Sequence, residues 1–332
     1  MPTFLRRPEV TVAVPMFQAG AYLETCLQSI ARQSYDVKRL EVLCVDDGSA
    51  DDTVDLARRF LKELKLKGTV SSHPNSGSPA QSRNTALDNA RGKFIHFVDV
   101  DDYLGPKAIE SMTTLATHDD ADVIIGRYEG VGRGVPRVLF EKTRARTDLL
   151  ESPVLDSMNV LKMYRTDYAR SLPYRFNSAL RMAEDHPFAM ASYLFTDRIA
   201  IQADEPCYYW VRHSSEAGAE QHLTGHTLPV DDFYAYMYEV FKVIDDAQST
   251  HPERAAHARS KYWNRLLHFD VPIEMRRKRS TEERQHSIDT IRRILDENQG
   301  WEARGLGRKA TAMRHSLRVN DPSLIKSVAR II

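Results

Sequence analysis

The sequence reads Gly92-Lys-Phe-Ile-His-Phe-Val-Asp-Val-Asp-Asp102 at the point that decides the fold. The apolar run after Gly92 is typical of a buried β-strand. It ends in three carboxylates within four positions, and dehydrating charges that lie so close together costs free energy unless a cation offsets them. The strand is therefore expected to deliver Asp99, Asp101 and Asp102 to the rim of a sheet, where open α/β sheets bind ligands.

The spacing of these carboxylates favours a metal site. Asp99 and Asp101 are two positions apart, so in an extended chain their side chains point the same way. A divalent cation that also binds phosphate oxygens suits such a pair of oxygen ligands. The alternative is an acidic turn in which Asp102 caps the helix that begins near Pro106. The motif alone does not decide between the two.

Other expected strands also end in polar residues. Apolar runs predict strands at 10–14, 40–45 and 68–73, and helically spaced apolar residues predict helices between them. This alternation predicts an α/β fold with a mostly parallel sheet and right-handed crossovers. Its carboxyl edge would then collect the polar ends of four strands: 15–17, 46–47, 75–83 and 99–102.

The later chain has a different texture. Further strands are expected at 121–128 and 137–142, with two late and antiparallel pieces at 198–201 and 207–211. From Val230 onward the spacing of apolar residues is helical. We therefore predict an α/β domain over residues 1–228 and a C-terminal helical domain over 229–332.

Composition sets broad limits on function. The 332 residues are 42% hydrophobic with a formal net charge of zero, which is typical of a globular protein, and no nucleic-acid partner is expected. From His251 to the end, however, 18 Lys and Arg stand against 10 Asp and Glu. This basic tail could hold a polyanion, or it could form solvated helical faces.

Targeting signals and metal-type cysteine spacing are missing from the sequence. Cys26, Cys44 and Cys207 lie in apolar runs and read as reduced core residues. The N-terminal residues do not have the pattern of a signal peptide, and no run is long enough to cross a membrane. We expect a soluble protein of the cytoplasm, with peripheral association with the inner membrane face as an open alternative.

Several nucleotide-dependent chemistries are disfavoured. The turn after the first strand, Pro15-Met-Phe-Gln-Ala-Gly20, lacks the Gly-x-Gly-x-x-Gly of dinucleotide-binding folds, and no P-loop pattern occurs. What remains is an acidic group after strand two, an arginine after strand three and an acidic pair after strand four. Those parts suit a nucleoside diphosphate, because a cation and an arginine can both bind the pyrophosphate.

The order of motifs resembles a known enzyme family. Val-Pro-x-Phe, Val-Asp-Asp-Gly-Ser, Asn-Ser-Gly-Ser-Pro-x-x-x-Arg-Asn and Phe-Val-Asp-x-Asp-Asp resemble the GT-A glycosyltransferases of family 2. Gly130-Val-Gly-Arg-Gly-Val-Pro136, Ala183-Glu-Asp185 and Cys207-Tyr-Tyr-Trp210 narrow the likeness to bacterial poly(ribitol-phosphate) β-N-acetylglucosaminyltransferases, which decorate wall teichoic acid. The resemblance runs from about Val10 to about Phe269.

The resemblance implies roles for individual residues. The nucleotide-sugar would be bound by the following side chains: Pro15, Phe17 and either Asp47 or Asp46 at the uracil, Asn75 and Arg83 at the nucleotide, Asp99 at the ribose or sugar, and Arg133 and Arg212 nearby. Asp101 would bind Mn²⁺ or Mg²⁺, joined by His222 or, as the second choice, His213. Asp185 would be the general base, and Glu184 would orient the acceptor or the base.

Each of these roles has a structural alternative. Asp185 could be a helix N-cap, and Arg83 could pair with a carboxylate at a helix end. Arg133 could serve only a turn, and His96 is expected to be a core residue rather than a ligand. The basic run 276–279 could contact a phosphate-rich acceptor or form an exposed turn.

The expected function is a metal-dependent inverting transfer of N-acetylglucosamine, or a similar hexose, from a UDP-sugar to a polyol-phosphate polymer. One alternative keeps the enzyme and changes the acceptor to a capsule, a glycolipid or a natural product. Another is a GT-A domain without activity that serves binding or assembly. The resemblance also implies a homo-oligomer, a trimer or a dimer, formed through the C-terminal helices.

Overall fold

The computed structural model describes residues 7–213 and 228–332, and these form two compact units. Of the described residues, the first unit comprises 7–179 and 184–213, and the second comprises 180–183 and 228–332. No helix within the described ranges has both the length and the apolar character that crossing a bilayer requires. The sheet therefore belongs to the first unit, and the C-terminal helices belong to the second.

The first unit alternates strands and helices along most of its length. Its strands are β1 (Val10–Met16), β2 (Leu40–Asp46), β3 (Gly68–Ser72), β4 (Phe94–Phe97), β5 (Tyr103–Leu104), β6 (Val123–Val131), β7 (Arg144–Thr147), β8 (Met163–Arg165) and β9 (Ile199–Val211). Its helices are α1 (Leu23–Ala31), α2 (Thr53–Glu63), α3 (Ala80–Asn89), α4 (Ala108–His118), α5 (Thr166–Ser171) and α6 (Asp185–Leu194).

The strands form one sheet with a parallel half and a mixed half. Their order is β3-β2-β1-β4-β8-β6-β9-β5, and β7 pairs with β9 outside this path. The pairs β3–β2, β2–β1 and β1–β4 are parallel, whereas β8 runs antiparallel to both β4 and β6. β1 and β2 are buried along their whole length, as expected of strands covered by helices on both faces. The predicted α/β fold with a mostly parallel sheet is confirmed.

Two predicted strands are wrong in the mixed half. Residues 137–142 were expected to form a strand, but Val138–Phe140 is a 3₁₀ turn and the strand begins later, at β7. Only Leu139 of the three apolar residues in that turn is buried, so the run does not supply a strand face. The late pieces at 198–201 and 207–211 are one strand, β9, which runs parallel to β6 and antiparallel to β5 and β7.

The interruption that suggested two pieces is a local irregularity in β9. The polar segment 204–206 reads as a break between apolar runs, since it contains two acids and a proline. In the structure it produces shifts of register opposite Gly126 and Arg127 of β6. Such bulges insert extra residues into one strand without ending the pairing.

The second unit is helical over its described residues from 230 onward. Its helices are α7 (Val230–Ala247), α8 (Pro252–Arg265), α9 (Val271–Arg276), α10 (Thr281–Glu297), α11 (Arg308–Val319) and α12 (Pro322–Ile331), and a π-helical turn, Leu266–Asp270, joins α8 to α9. Ser280 and Glu283 form a capping box at the start of α10, which defines where that helix begins.

The basic run 276–279 is partly committed to internal ion pairs. Arg279 Nε donates to Glu274 Oε1 at 2.8 Å, and Arg277 Nε lies 3.4 Å from Glu274 Oε2. Glu274 is fully buried, so these arginines supply its counter-charge. Arg276 donates to the backbone oxygen of Ala329. The run therefore has a structural role, and contact with an acceptor stays a prediction.

Candidate active site

The carboxyl ends of the parallel strands lie at one edge of the sheet. Asp47 N–H donates to the backbone oxygen of Met16 at 2.8 Å, which joins the segments that follow β1 and β2. Val98 N–H donates to the backbone oxygen of Ala13 at 2.9 Å, which aligns the segment after β4 with β1. The predicted polar groups after these strands are therefore neighbours in space.

Asp46 builds the turn that follows β2. Its Oδ2 accepts hydrogen bonds from the N–H groups of Gly48 and Ser49, both at 3.1 Å, and from Ser72 Oγ at 2.8 Å. Gly48 has φ +76°, and a Cβ added there would lie 2.6 Å from the backbone nitrogen of Asn75. The buried Asp46 carboxylate is thus occupied in holding a turn that only glycine fits.

Asp47 has a different set of contacts. Its Oδ1 accepts hydrogen bonds from Ser76 N–H and Ser76 Oγ, both at 2.8 Å, and lies 3.3 Å from His73 Nδ1. Within residues 7–213 and 228–332, no hydrogen bond is made to Asp47 Oδ2. Of the two candidates for the uracil, Asp47 therefore has the carboxylate oxygen available for a ligand, and Asp46 does not.

We expect substitutions of Asp46 and Asp47 to have different effects on stability and on ligand binding. Asp46→Asn should lower the free energy of unfolding by about 2 kcal/mol, because it removes charged acceptors from a buried turn. If Asp47 makes the expected uracil contact, Asp47→Asn should instead weaken binding of UDP about tenfold, the loss of one charge-assisted hydrogen bond, with a smaller effect on stability. Urea denaturation and calorimetric titration with UDP measure these quantities. The reverse pattern would assign the ligand to Asp46.

The other residues predicted at the uracil differ in exposure. Phe17 follows β1 and is 40% exposed, which leaves an aromatic face for a base to stack on. Pro15 is buried within β1 opposite Val45, so we expect it to shape the edge rather than cover a ligand. Asn75 is exposed on the loop between β3 and α3.

The acidic run after β4 divides into buried and accessible members. Asp102 is buried, and its carboxylate accepts hydrogen bonds from Tyr208 OH and Val211 N–H, both at 2.8 Å. Burial, and then the charges of Asp101 and Asp99, raises the pKa of Asp102 to about 9. The alternative in which Asp102 caps a helix is wrong, because α4 begins only after Lys107.

The surroundings of Asp101, the predicted metal ligand, are only partly polar in the described residues. His213 Nε2 lies 2.8 Å from the backbone oxygen of Asp101. The side chain of Asp99 is 30% exposed. The negative charges of Asp101 and Asp99 together raise the pKa of a third carboxyl, so added positive charge would stabilise the cluster. Among the described ranges, no three His, Cys, Asp or Glu side chains form a complete metal site. His222 lies outside the described residues.

Two predicted arginines lie close to the acidic run. The guanidinium of Arg133 stacks on the Trp210 ring, with Cζ 3.1 Å from the ring centroid. Arg212 N–H donates to the backbone oxygen of Val131 at 2.9 Å, so the loop that carries Arg133 begins next to the end of β9. Burial lowers the pKa of Arg133, while Asp102 raises it and Arg212 lowers it. The side chains thus form a mixed-charge surface, and the contact of Arg133 with the nucleotide-sugar stays a prediction.

The fold also requires glycine near the end of β6, just before this loop. A Cβ on Gly130 would lie 2.0 Å from the backbone oxygen of Arg133, so a side chain at Gly130 would displace the loop.

Arg83 bridges two carboxylates below the edge. It is 4% exposed, and its Nη2 donates to Asp99 Oδ1 at 2.8 Å while its Nη1 donates to Glu184 Oε1. Burial lowers the pKa of Arg83, but the charges of Asp99, Glu184 and Asp185 outweigh it and raise the pKa. Glu184 is the N-cap residue of α6. The contacts therefore agree with the structural alternative for Arg83, in which it pairs with a carboxylate at a helix end. The nucleotide contact of Arg83 stays a prediction.

Asp185, the predicted base, lies beside this bridge. It is the first residue of α6 and not its N-cap, and its Oδ2 accepts a hydrogen bond from Val160 N–H at 3.2 Å. Its side chain is half-buried. Burial, and then the charge of Glu184, raises the pKa of Asp185 to about 7, against the opposing charge of Arg83. A carboxylate with a pKa near neutrality, held in place and accessible, can accept a proton from a hydroxyl.

Comparison with known proteins decides the family. Residues 11–173 match the model of glycosyl transferase family 2. The chain carries a family 2 glycosyltransferase domain. The matched residues include every strand end of the parallel half, and so the predicted family is confirmed together with the GT-A type of fold.

Relatives of this glycosyltransferase domain extend the likeness beyond the matched residues. A poly(ribitol-phosphate) beta-glucosyltransferase of Bacillus spizizenii is 28% identical over 79% of this chain and 40% of its own length. The poly(ribitol-phosphate) beta-N-acetylglucosaminyltransferase TarS of Staphylococcus aureus is 32% identical over 68% of this chain and 39% of its own. The chain thus matches about two fifths of the length of each of these two relatives.

A solved structure shows the same fold at similar sequence distance. The crystal structure of S. aureus TarS 1-349 in complex with UDP-GlcNAc superposes with a TM-score of 0.85 at 27% identity, covering 97% of this chain and 90% of that one. The fold of the glycosyltransferase domain is therefore shared with a protein that has been crystallised with a UDP-sugar.

Sequence reasoning missed two buried residues that lie close to the predicted site residues. Tyr208 accepts a hydrogen bond from Asp99 N–H at 3.0 Å and donates to Asp102, so it joins β9 to the acidic run. Lys162 is fully buried behind the turn that contacts Asp185. A signal existed for Lys162, because a single cation lies within the apolar run Val160-Leu-Lys-Met-Tyr164. His96 is a buried core residue, as expected, and burial lowers its pKa to about 4.

Proposed function

We propose that this chain is a metal-dependent inverting glycosyltransferase. It would transfer N-acetylglucosamine, or a similar hexose, from a UDP-sugar to a polyol-phosphate acceptor. The observation that carries the proposal is the half-buried Asp185 carboxylate, which Val160 N–H holds beside the Arg83–Asp99 pair and whose pKa is raised to about 7. The similar relatives are named for transfer of N-acetylglucosamine or glucose to poly(ribitol-phosphate), which supports the acceptor class and leaves the sugar open.

The nucleotide would lie along the carboxyl edge of the sheet. Phe17 offers a face for the uracil, and Asp47 Oδ2 can accept a hydrogen bond from the uracil N–H. Arg133 and Arg212 would supply positive charge to the pyrophosphate. S. aureus TarS 1-349, which shares this fold, has been crystallised in complex with UDP and with UDP-GlcNAc, and this supports a uridine diphosphate donor.

A divalent cation would bind beside Asp101. The residues that would hold it are Asp101 and a histidine, His222 or His213, with the remaining ligands from the pyrophosphate. Bound there, Mn²⁺ or Mg²⁺ would supply positive charge next to the leaving diphosphate.

The proposed chemistry is a single displacement at the anomeric carbon. Asp185 accepts the proton of an acceptor hydroxyl while the hydroxyl oxygen forms a bond to the anomeric carbon. The bond from the carbon to the diphosphate oxygen breaks, and its electron pair leaves with UDP. One displacement from the face opposite the leaving group inverts the configuration. Arg83 and Glu184 hold the surroundings of the base, since Arg83 joins Glu184 to Asp99.

A panel of donors and acceptors tests this function. The protein is incubated with UDP-N-acetylglucosamine or UDP-glucose and with poly(ribitol phosphate), poly(glycerol phosphate), a capsular polysaccharide or a glycolipid, and released UDP is measured. Product formation with a polyol phosphate above the background hydrolysis supports the proposal. Transfer only to the other acceptors would keep the enzyme and change its substrate, and no transfer together with UDP binding would favour a binding module.

Chelation should abolish transfer. We expect EDTA to reduce turnover to background and Mn²⁺ or Mg²⁺ to restore it, because the charge of the leaving diphosphate would otherwise be unbalanced. The measurement is UDP release before and after addition of the metal. Asp101→Asn should raise the metal concentration needed for half-maximal rate. Full turnover in excess chelator would show that the metal has no role.

The rate of transfer should fall as the pH is lowered below about 7. Asp185 acts only when ionised, and its pKa is raised to about 7, so kcat/KM should fall about tenfold per pH unit below that value. An ordinary exposed aspartate would keep its rate down to about pH 4. The profile is measured from pH 5 to 9, with UDP affinity followed over the same range as the control. A constant rate down to pH 5 would contradict this role for Asp185.

A further inference from the structure

Lys162 is a buried lysine in the first unit, one residue before β8. Its side chain is fully buried, and its Nζ donates to the backbone oxygen of Asn159 and to Asn159 Oδ1, the latter at 3.2 Å. Nζ also lies 5.6 Å from the centroid of the Tyr193 ring. Burial of an ammonium costs several kcal/mol unless partners compensate for it. We therefore expect Lys162 to have a role that an apolar side chain of the same size could not fill.

The contacts of Lys162 lead directly to Asp185. Asn159 Oδ1 accepts hydrogen bonds from Lys162 Nζ, from Leu161 N–H at 3.2 Å and from Tyr128 OH at 3.0 Å. These bonds fold residues 159–162 into a turn. The next backbone amide in that turn, Val160 N–H, is the group that donates to Asp185 Oδ2. Lys162 therefore lies behind the turn that fixes the carboxylate of the proposed base.

Burial and neighbouring charges shift the pKa values of both Lys162 and Asp185. Burial lowers the pKa of Lys162 to about 7, and the charge of Asp185 raises it again. Burial, Glu184 and Asp99 raise the pKa of Asp185, whereas Arg83 and Lys162 lower it. The other titratable groups packed here are buried tyrosines whose pKa values burial raises, so they stay neutral: Tyr128, Tyr164 and Tyr193. His96 is also held neutral by burial.

Arg83 alone leaves the base under-compensated. Its two terminal nitrogens bind Glu184 and Asp99, so three carboxylates surround one guanidinium. Lys162 supplies a second positive charge, which also lowers the pKa of Asp185. A carboxylate next to two other carboxylates is favoured in its neutral form unless such a charge is present.

We propose that Lys162 is a positioning residue for Asp185: its ammonium holds the turn at Asn159 and Val160 against the carboxylate and keeps that carboxylate ionised. This inference rests on the proposed function only in naming Asp185 as the base. The electrostatic link between the two side chains stands without it.

The pH profile of Lys162→Met tests the role in transfer. Methionine has a similar length and no charge, and its burial removes a desolvation cost, so the variant should fold. We expect kcat/KM to fall about tenfold at pH 7 and less than about threefold at pH 9, because the acidic limb moves upward by about one pH unit. Lys93→Met is the matched control, since Lys93 is exposed at the opposite end of β4, and its profile should be that of the wild type.

The alternatives for this experiment are distinct. An equal loss of kcat/KM at every pH would show a merely structural role and would overturn the proposal. So would an unchanged profile in a variant that circular dichroism shows to be folded. Lys162→Arg should keep the wild-type limb where it folds, because it keeps the charge.

A second measurement does not depend on activity or on the folding of a Lys162 variant. The protein is labelled with lysine carrying ¹³C at the ε carbon, and the lysine signals are titrated by NMR. One signal should titrate near neutrality, far below an exposed lysine, whose pKa is about 10.4. Asp185→Asn should move that midpoint downward, because it removes the negative charge that supports the ammonium. No lysine titrating below about pH 9, or a midpoint unchanged in Asp185→Asn, would overturn the proposal even if the enzyme proved inactive.

Discussion

Asp185→Asn is expected to lower kcat about 10³-fold while UDP binding and stability stay close to those of the wild type. Asparagine keeps the size of the side chain and can still accept the hydrogen bond from Val160 N–H. It has no basic oxygen with a pKa near neutrality, so the acceptor hydroxyl would have to lose its proton to solvent. The rate of UDP release with saturating donor and acceptor measures the effect, and calorimetric titration with UDP measures the binding.

A matched variant makes this result specific. Asp167→Asn makes the same chemical change at an exposed position in the first turn of α5 and should leave the rate unchanged. If Asp185→Asn retained more than about a tenth of the wild-type rate, proton transfer would have to be assigned to another group. Glu184 would then be the first candidate, although its bond to Arg83 makes it a poor base.

Arg83→Met is expected to cost about 3–5 kcal/mol in the free energy of unfolding. The change leaves the buried Glu184 without its counter-charge and frees Asp99, and breaking a buried ion pair on one side is strongly destabilising. Urea denaturation at pH 7.5 gives the difference directly. The loss should shrink in the double variant Arg83→Met with Glu184→Gln, since the uncompensated charge is then absent.

The control for this prediction is an exposed arginine in a similar pair. Arg58 lies 3.2 Å from Asp55 on the surface of α2, and Arg58→Met should change stability very little. If Arg83→Met were as stable as the wild type but lost affinity for UDP, the bridge would be incidental and Arg83 would be a nucleotide-binding residue. That outcome would support the role implied by the resemblance.

The edge of the sheet could be predicted because its parts are local. An apolar run marks each parallel strand, and the polar residues follow within one or two positions, as Asp46–Asp47 follow β2 and Asp99–Asp102 follow β4. Parallel pairing then places those ends together whatever the loops do. The choice between Asp46 and Asp47 could not be made in this way. It depends on Ser72 and Ser76, which lie 26 and 29 residues after Asp46 and Asp47 respectively.

The rest of the site depends on contacts between distant segments. Arg83 and Glu184 are 101 positions apart, and Asp102 and Tyr208 are 106 apart, so no local pattern announces either bond. The role of Asp102 was uncertain for this reason, since an aspartate before a helix commonly caps it. The mixed half of the sheet was misread at residues 137–142 and in β9, because bulges and 3₁₀ turns break the alternation on which strand prediction rests.

The central claim is that the strand ends at one edge of the sheet bind a UDP-sugar with its anomeric carbon facing Asp185. A crystal structure of the protein with UDP-N-acetylglucosamine tests it most directly. The account predicts the uracil against Phe17 and Asp47, the diphosphate beside Asp101 and Arg133, and the anomeric carbon on the side of Asp185. A nucleotide bound away from this edge, or a sugar directed away from Asp185, would contradict it.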